Sequence, residues 1–195
     1  RTNWDSGDSN TGWKLPPIRR FLIRDGHLEI EDAVRKLHFA GTVNSSEESG
    51  GAKAAFTMTG DGTLNGNTFT ADLQGGPLLN VDESRPYEFT ADIHAGQTHV
   101  TADGSVTHPF HLDHYRAALT LTGPNLADLY YLTGLALPGT PPYRVKFWGQ
   151  LDFTLICGTA INGMLGSSDI NGDLAVNVAG IIPALSGRLS SRQLS

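Results

Sequence analysis

The chain has 195 residues, of which 39% are hydrophobic and 17% charged; it is too apolar for a disordered segment and sized for one domain or one piece of a larger β architecture. Its formal charge of −6 leaves no electrostatic footprint for nucleic acid, and the one basic cluster, Lys14, Arg19, Arg20 and Arg24, reads as a solvated strand face. The lone Cys157 excludes an intrachain disulfide or a cysteine-based zinc site, and no apolar run of about 18 residues is present to span a bilayer.

Residues 1 to 17 read as a linker or lead-in: Asp, Ser, Asn and Gly surround Trp4, and Pro16-Pro17 closes the segment. From residue 18 onward the pattern is that of a single β domain. Asp25-Gly26, between Phe21/Ile23 and Leu28/Ile30, predicts a two-residue hairpin turn. The run 35 to 43 places Leu37, Phe39 and Gly41 on one side, and 45 to 51 (SSEESGG) predicts a polar loop. Short strands are expected at 55–59, 62–64 and 67–73, broken at Asp61-Gly62 and Asn65-Gly66. The meander continues at 87–93, 97–102 and 104–107, separated by Ala95-Gly96 and Asp103-Gly104. The longest alternating run is 111 to 122, where Tyr115, Ala117, Leu119 and Leu121 share a parity. Period two, not 3.6, dominates, and that implies strands with one wet and one dry face.

Two segments depart from this pattern. A single helical turn is predicted in 77–84 (PLLNVDES), and a firmer short helix in 123–134 (GPNLADLYYLTG). In the latter Asn125 serves as N-cap, Asp128 lies in the first turn and Gly134 stands at C′. Strands resume at Tyr143 and run to Leu194, for a total of ten to twelve. The 23 glycines fit turn chemistry in such an array.

The dry faces are padded with small residues such as Ala91, Ala95, Ala102 and Ala117. Two architectures suit that composition: an ordinary sandwich with small residues at its edges, and a long curved sheet whose inner face is lined but not filled. No nucleophile elbow, P-loop or dinucleotide fingerprint is present. His108, His111 and His114 with Asp113 invite a metal reading, but in a strand His111 points away from the other two, so surface or strand-edge histidines are expected. The Asp-Gly pairs could be loop-tip acids of a glycosidase, although hairpin duty explains them more simply. Trp4, Trp13 and Trp148 could stack on sugars; as edge aromatics they need no ligand.

Four stretches carry a resemblance: 75–106 (GGPLLNVDESRPYEFTADIHAGQTHVTADGSV), 121–145 (LTGPNLADLYYLTGLALPGTPPYRV), 166–176 (GSSDINGDLAV) and 183–194 (PALSGRLSSRQL). The pair GPNLADLY and LALPGTPPY is the most specific, since strand physics demands neither word. On these the chain resembles the AsmA family over roughly Leu73 to Leu194, as the C-terminal part of the AsmA domain. Asn125 stands where the family more often has Asp, and the register of 147–164 departs from its pattern.

The resemblance implies an all-β fold, a long curved antiparallel sheet forming an open, taco-like groove with one short helix capping it, as in bridge-like lipid-transfer proteins. It implies a bacterial envelope protein in the periplasm, tethered to the inner membrane by a segment outside this chain, and linked to phospholipid traffic toward the outer membrane. The start at Arg1 without an initiator Met fits a fragment. The expected partners are phospholipid acyl chains, with envelope proteins and the membrane reached through other segments. No cofactor, metal or catalytic residue is expected. The alternation nominates Phe69, Phe89, Ala91, Ile93, Leu119, Leu121, Leu174 and Val176 as lipid-lining residues. The alternative functions are a structural or protein-interaction β-domain of the envelope and a carbohydrate-binding β-domain.

Overall fold

The computed structural model describes residues 20–33, 36–48, 55–77, 86–108, 111–133, 136–152, 155–177 and 184–192. The first 17 residues, expected to form a lead-in, and the helical turn expected within 77–84 lie outside these, apart from Pro77. Eleven strands are present among the described residues: β1 (Arg20–Asp32), β2 (Leu37–Glu48), β3 (Ala55–Leu64), β4 (Asn67–Gly75), β5 (Tyr87–Ala95), β6 (Thr98–His108), β7 (His111–Gly123), β8 (Tyr143–Asp152), β9 (Leu155–Leu165), β10 (Ser168–Asn177) and β11 (Ala184–Ser190). They form one antiparallel sheet in sequence order, curled but not closed, because β1 and β11 remain at opposite edges. Tertiary packing between strands follows the ladder from each strand to its neighbours. A second sheet clamped on the first, as a sandwich requires, is not found among the described residues.

Turn chemistry sets part of this order. Asn65-Gly66 joins β3 to β4 with both residues at positive φ, 51° and 86°, the type I′ geometry that matches strand twist. Gly96, at φ 59°, turns β5 into β6. The other Asp-Gly pairs do not act as expected. Asp25-Gly26 is a bulge within β1, where the register shifts between Ile23 and Gly26 and the Asp25 backbone N–H donates to Asn44 Oδ1 at 2.9 Å. Asp61-Gly62 and Asp103-Gly104 lie inside β3 and β6. The expected loop at 45–51 is likewise corrected in part, since Ser45 to Glu48 complete β2.

Gly62 shows why glycine enters a strand here. It is the Cα partner of both Phe39 and Phe69, whose rings stack across it with centroids 6.0 Å apart. A Cβ at this position would meet the His38 carbonyl oxygen and would lie 2.9 Å from Phe39 Cα. The missing side chain therefore lets the His38–Phe39 backbone approach closely while two aromatic rings stack across the glycine.

The helical cap is present, as a 3-10 turn (Leu126–Leu129) running into one α turn, α1 (Tyr130–Thr133). Asn125 caps it as expected: its Oδ1 accepts from the backbone N–H groups of Ala127 at 3.0 Å and Thr140 at 2.9 Å. Leu129 is buried. Asp128 lines a hollow with Asn67, Thr68, Gly96 and Gln97, which places the cap at the sheet end carrying the Asn65-Gly66 and Gly96 turns.

Candidate functional site

Register and alternation sort the strands into two chemically distinct faces. One ladder can be followed across ten strands by Cα pairing: Leu28, Gly41, Gly60, Ala71, Ile93, Val100, Leu121, Val145, Gly163 and Ile170. A parallel ladder runs Val43, Met58, Leu73, Ala91, Ala102, Leu119 and Phe147. Both rows are apolar or glycine throughout. The residues between them in each strand point to the other face, which carries Thr59, Asp61, Thr70, Asp72, Thr90, Asp92, Lys146 and Asp173 among others.

Every sequence-nominated residue falls on the apolar face. Phe69 pairs with Gly62 and Ala95, Phe89 with Gly75 and Gly104, and Ala91 with Leu73 and Ala102. Ile93 pairs with Ala71 and Val100; Leu119 and Leu121 pair with Phe147 and Val145 on β8. Leu174 and Val176 pair with Gly158 and Ile156 on β9 and with Gly187 and Leu185 on β11. All eight are half-buried. This is the expected state for one sheet face that curls on itself without a second layer. Phe39, Val43, Ala71, Val106, Ala117 and Ile161 are buried, whereas Ile30, Ile156, Leu185 and Leu189 at or near the two edges of the sheet are exposed by 37 to 50%.

Sequence reasoning missed much of the lining, notably Phe39, Met58, Val100, Val145, Phe147 and Ile170. The signal was available in Tyr143-x-Val145-x-Phe147, but bulges blur the parity further on. In β9 the register shifts opposite Lys146–Trp148 and again opposite Gly172–Leu174. Ala160 sits at the shift with φ 52°, its N–H held by Asp173 Oδ1 at 2.9 Å.

Some polar groups of the lined face are buried or hydrogen-bonded. Thr98 and Ser45 are almost fully buried. Thr98 Oγ1 lies 3.5 Å from the Tyr143 hydroxyl. Burial pushes the Tyr143 pKa above its ordinary value of 10.0; the Thr98 hydrogen bond opposes this shift and Asp128 adds to it. Tyr87 donates its hydroxyl to the Gly76 carbonyl at 2.7 Å. Tyr87 and Tyr143 are the first residues of β5 and β8, so these contacts lie at strand ends, outside the two apolar ladders.

The other candidates fare differently. His108 and His111 are Cα partners and His114 pairs with Asp152, but the side chains of this trio lie outside the described residues, as do Trp4 and Trp13. Trp148 stands exposed on the polar face, with the Arg116 guanidinium 5.0 Å from its ring centroid. That cation–π pair occupies one face of the ring and gives Trp148 a partner that is not a sugar. No helix among the described residues is long and apolar enough to cross a membrane.

Comparison with known proteins found a curated relative, the AsmA family protein YhjG of Escherichia coli (strain K12), 30% identical over an alignment of 217 residues that takes in 98% of this chain. The chain spans about a third of that relative's length, 32%. No family model matches the sequence, and no solved structure matches it.

Proposed function

The chain belongs to the AsmA family, and on that premise we propose that its apolar sheet face shields phospholipid acyl chains within the bacterial envelope. The observation that carries this reading is the unbroken row from Leu28 to Ile170, apolar or glycine at every step and covered by no second layer among the described residues. At about 4.8 Å between neighbouring strands, the nine steps of that row make a lane of roughly 43 Å along the curl. Burial of hydrocarbon is favourable by about 0.8 kcal/mol per CH₂, so two acyl chains need no specific polar contact to be held. The headgroup stays in water. On this reading the module is non-catalytic, periplasmic and tethered to the inner membrane by another part of the protein, and it takes part in phospholipid movement toward the outer membrane.

Lipid extracted from the purified protein after bacterial expression, and identified by mass spectrometry, tests the proposal. Phospholipid in stoichiometric amount is the expected result. Protein free of lipid, which also takes none up from vesicles, would overturn it.

A second reading has one observation in its favour. Every residue of the edge strand β11 from Ala184 to Ser190 is exposed, and an open edge of this kind is a template for strand addition by a protein partner. Light scattering separates the two, since an interaction module assembles without lipid.

A further inference from the structure

The polar face of the sheet carries a cluster that acyl-chain shielding does not use. Asp92 and His94 stand two residues apart on the same face of β5. The two-residue Gly96 turn then brings His99 of β6 directly opposite His94 as its Cα partner. Both imidazole Nε2 atoms converge on one carboxylate oxygen, Asp92 Oδ1, at 3.1 Å from His94 and 2.9 Å from His99. The two rings stack with centroids 4.1 Å apart and planes 6° from parallel. One potential ligand atom from each residue lies within 4.8 Å of the others.

We propose that Asp92, His94 and His99 form a binding site for a late first-row divalent cation, with Zn²⁺ as its representative. The donor set is two imidazole nitrogens and one carboxylate oxygen, the borderline chemistry that Zn²⁺ favours over Mg²⁺ or Ca²⁺. A tetrahedral ion with bonds of about 2.05 Å has ligand–ligand edges of about 3.3 Å, so the two nitrogen–oxygen distances need to open by only a few tenths of an ångström. The stacked rings must also rotate about their Cβ–Cγ bonds to aim both lone pairs at one point. Their side chains are 57% and 37% exposed, which leaves that rotation free.

A second observation points the same way. Asp72 on β4 is the Cα partner of Asp92 on the same face. Like charges set directly opposite each other destabilise a ladder, and a divalent cation bound at Asp92 turns that repulsion into attraction. Three protein ligands leave the fourth position open to water or to an anionic group. The inference is independent of the lipid reading, because the site lies on the opposite face of the sheet.

Zn²⁺ titrated calorimetrically into the metal-stripped protein tests the site, with Co²⁺ absorption spectra reporting coordination. One ion per chain is expected, bound at least tenfold more weakly by His94→Ala, His99→Ala and Asp92→Asn. His38→Ala serves as control, since His38 sits in a more open cluster 3.6 Å from Glu31 and 4.0 Å from Glu29; its affinity is expected to be unchanged. If a variant fails to fold, Zn²⁺-induced shifts of the His94 and His99 ring resonances in the unaltered protein give the same information. Absence of saturable binding, or equal affinity in all the variants, would overturn the proposal.

Discussion

Substituting Glu for Phe89 and, separately, for the adjacent Thr90 puts the same charge on opposite faces of β5. Phe89 is half-buried on the lined face between Gly75 and Gly104, whereas Thr90 is exposed on the polar face. Because alternation has a period of two, one residue of displacement changes the face and almost nothing else. Losing half the burial of a Phe side chain costs about 1.5 kcal/mol, which a domain with the usual stability of about 5–15 kcal/mol survives. A guest chain crossing Phe89 would lose the cover of about two methylenes, or about 1.6 kcal/mol, and so bind roughly 15-fold more weakly before the cost of desolvating the carboxylate is added. The assay is phospholipid retained per protein, quantified by mass spectrometry, together with displacement of a fluorescent fatty acid. Phe89→Glu is expected to lose most of its lipid while Thr90→Glu keeps it. Equal retention by the two variants would refute the assignment of the lane to this face.

Other expectations concern the framework. Ala160→Gly relieves a non-glycine residue at φ 52° and should raise the unfolding free energy by up to about 1 kcal/mol, read as a higher urea midpoint; a lower midpoint would show that the bulge is unstrained. Gly62→Ala should destabilise by about 1–3 kcal/mol, against the ordinary gain from removing a strand glycine, because its Cβ meets the His38 carbonyl. For Tyr143 the folded pKa is raised above the unfolded value, so the unfolded state releases the proton first. Its contribution is therefore complete below about pH 10 and declines as pH rises from there through the folded pKa. Denaturation curves from pH 8 to 11 should show a shallower loss for Tyr143→Phe than for the unaltered protein.

Alternation made the fold class legible, since a period of two along most of the chain admits little but strands. It also placed Phe89, Ala91 and Ile93 with Leu119 and Leu121, because the Gly96 turn keeps register from β5 to β6 and the β6–β7 register shift falls beyond Val106, outside these residues. The strand boundaries were less accessible. Asp-Gly is a turn signal only when no neighbour needs the glycine, and at Gly62 two phenyl rings and a backbone carbonyl do. A bulge such as the one at Asp25 depends on the Asn44 amide, 19 residues away, which local sequence does not reveal. The Asp92, His94 and His99 cluster was within reach, as Asp-x-His ahead of a Gly turn and another His fixes it once the hairpin register is known. The helix cap was readable because its first contact is local, Asn125 accepting from the Ala127 N–H two residues on, whereas its second contact, to Thr140 fifteen residues away, was not.

On the proposed acyl-chain reading, the distribution of polarity on the apolar face bears on movement as well as holding. Hydrophobic attraction is non-directional and roughly proportional to the area covered. A guest lying along the row from Ala71 through Ile93, Val100 and Leu121 to Val145 therefore meets nearly the same environment at each strand, and no single step is a deep well. Two polar groups of that face that could have acted as anchors, Ser45 and Thr98, are instead buried, at 2% and 1% exposure. At the β1 rim and at β11 the lane stays apolar and accessible at Ile30, Leu185 and Leu189. A surface that is adhesive everywhere and specific nowhere suits transit better than storage. On the proposed acyl-chain reading, the glycine, alanine and valine of these rows would leave room for a guest, where large side chains would fill the curl with the protein's own hydrocarbon.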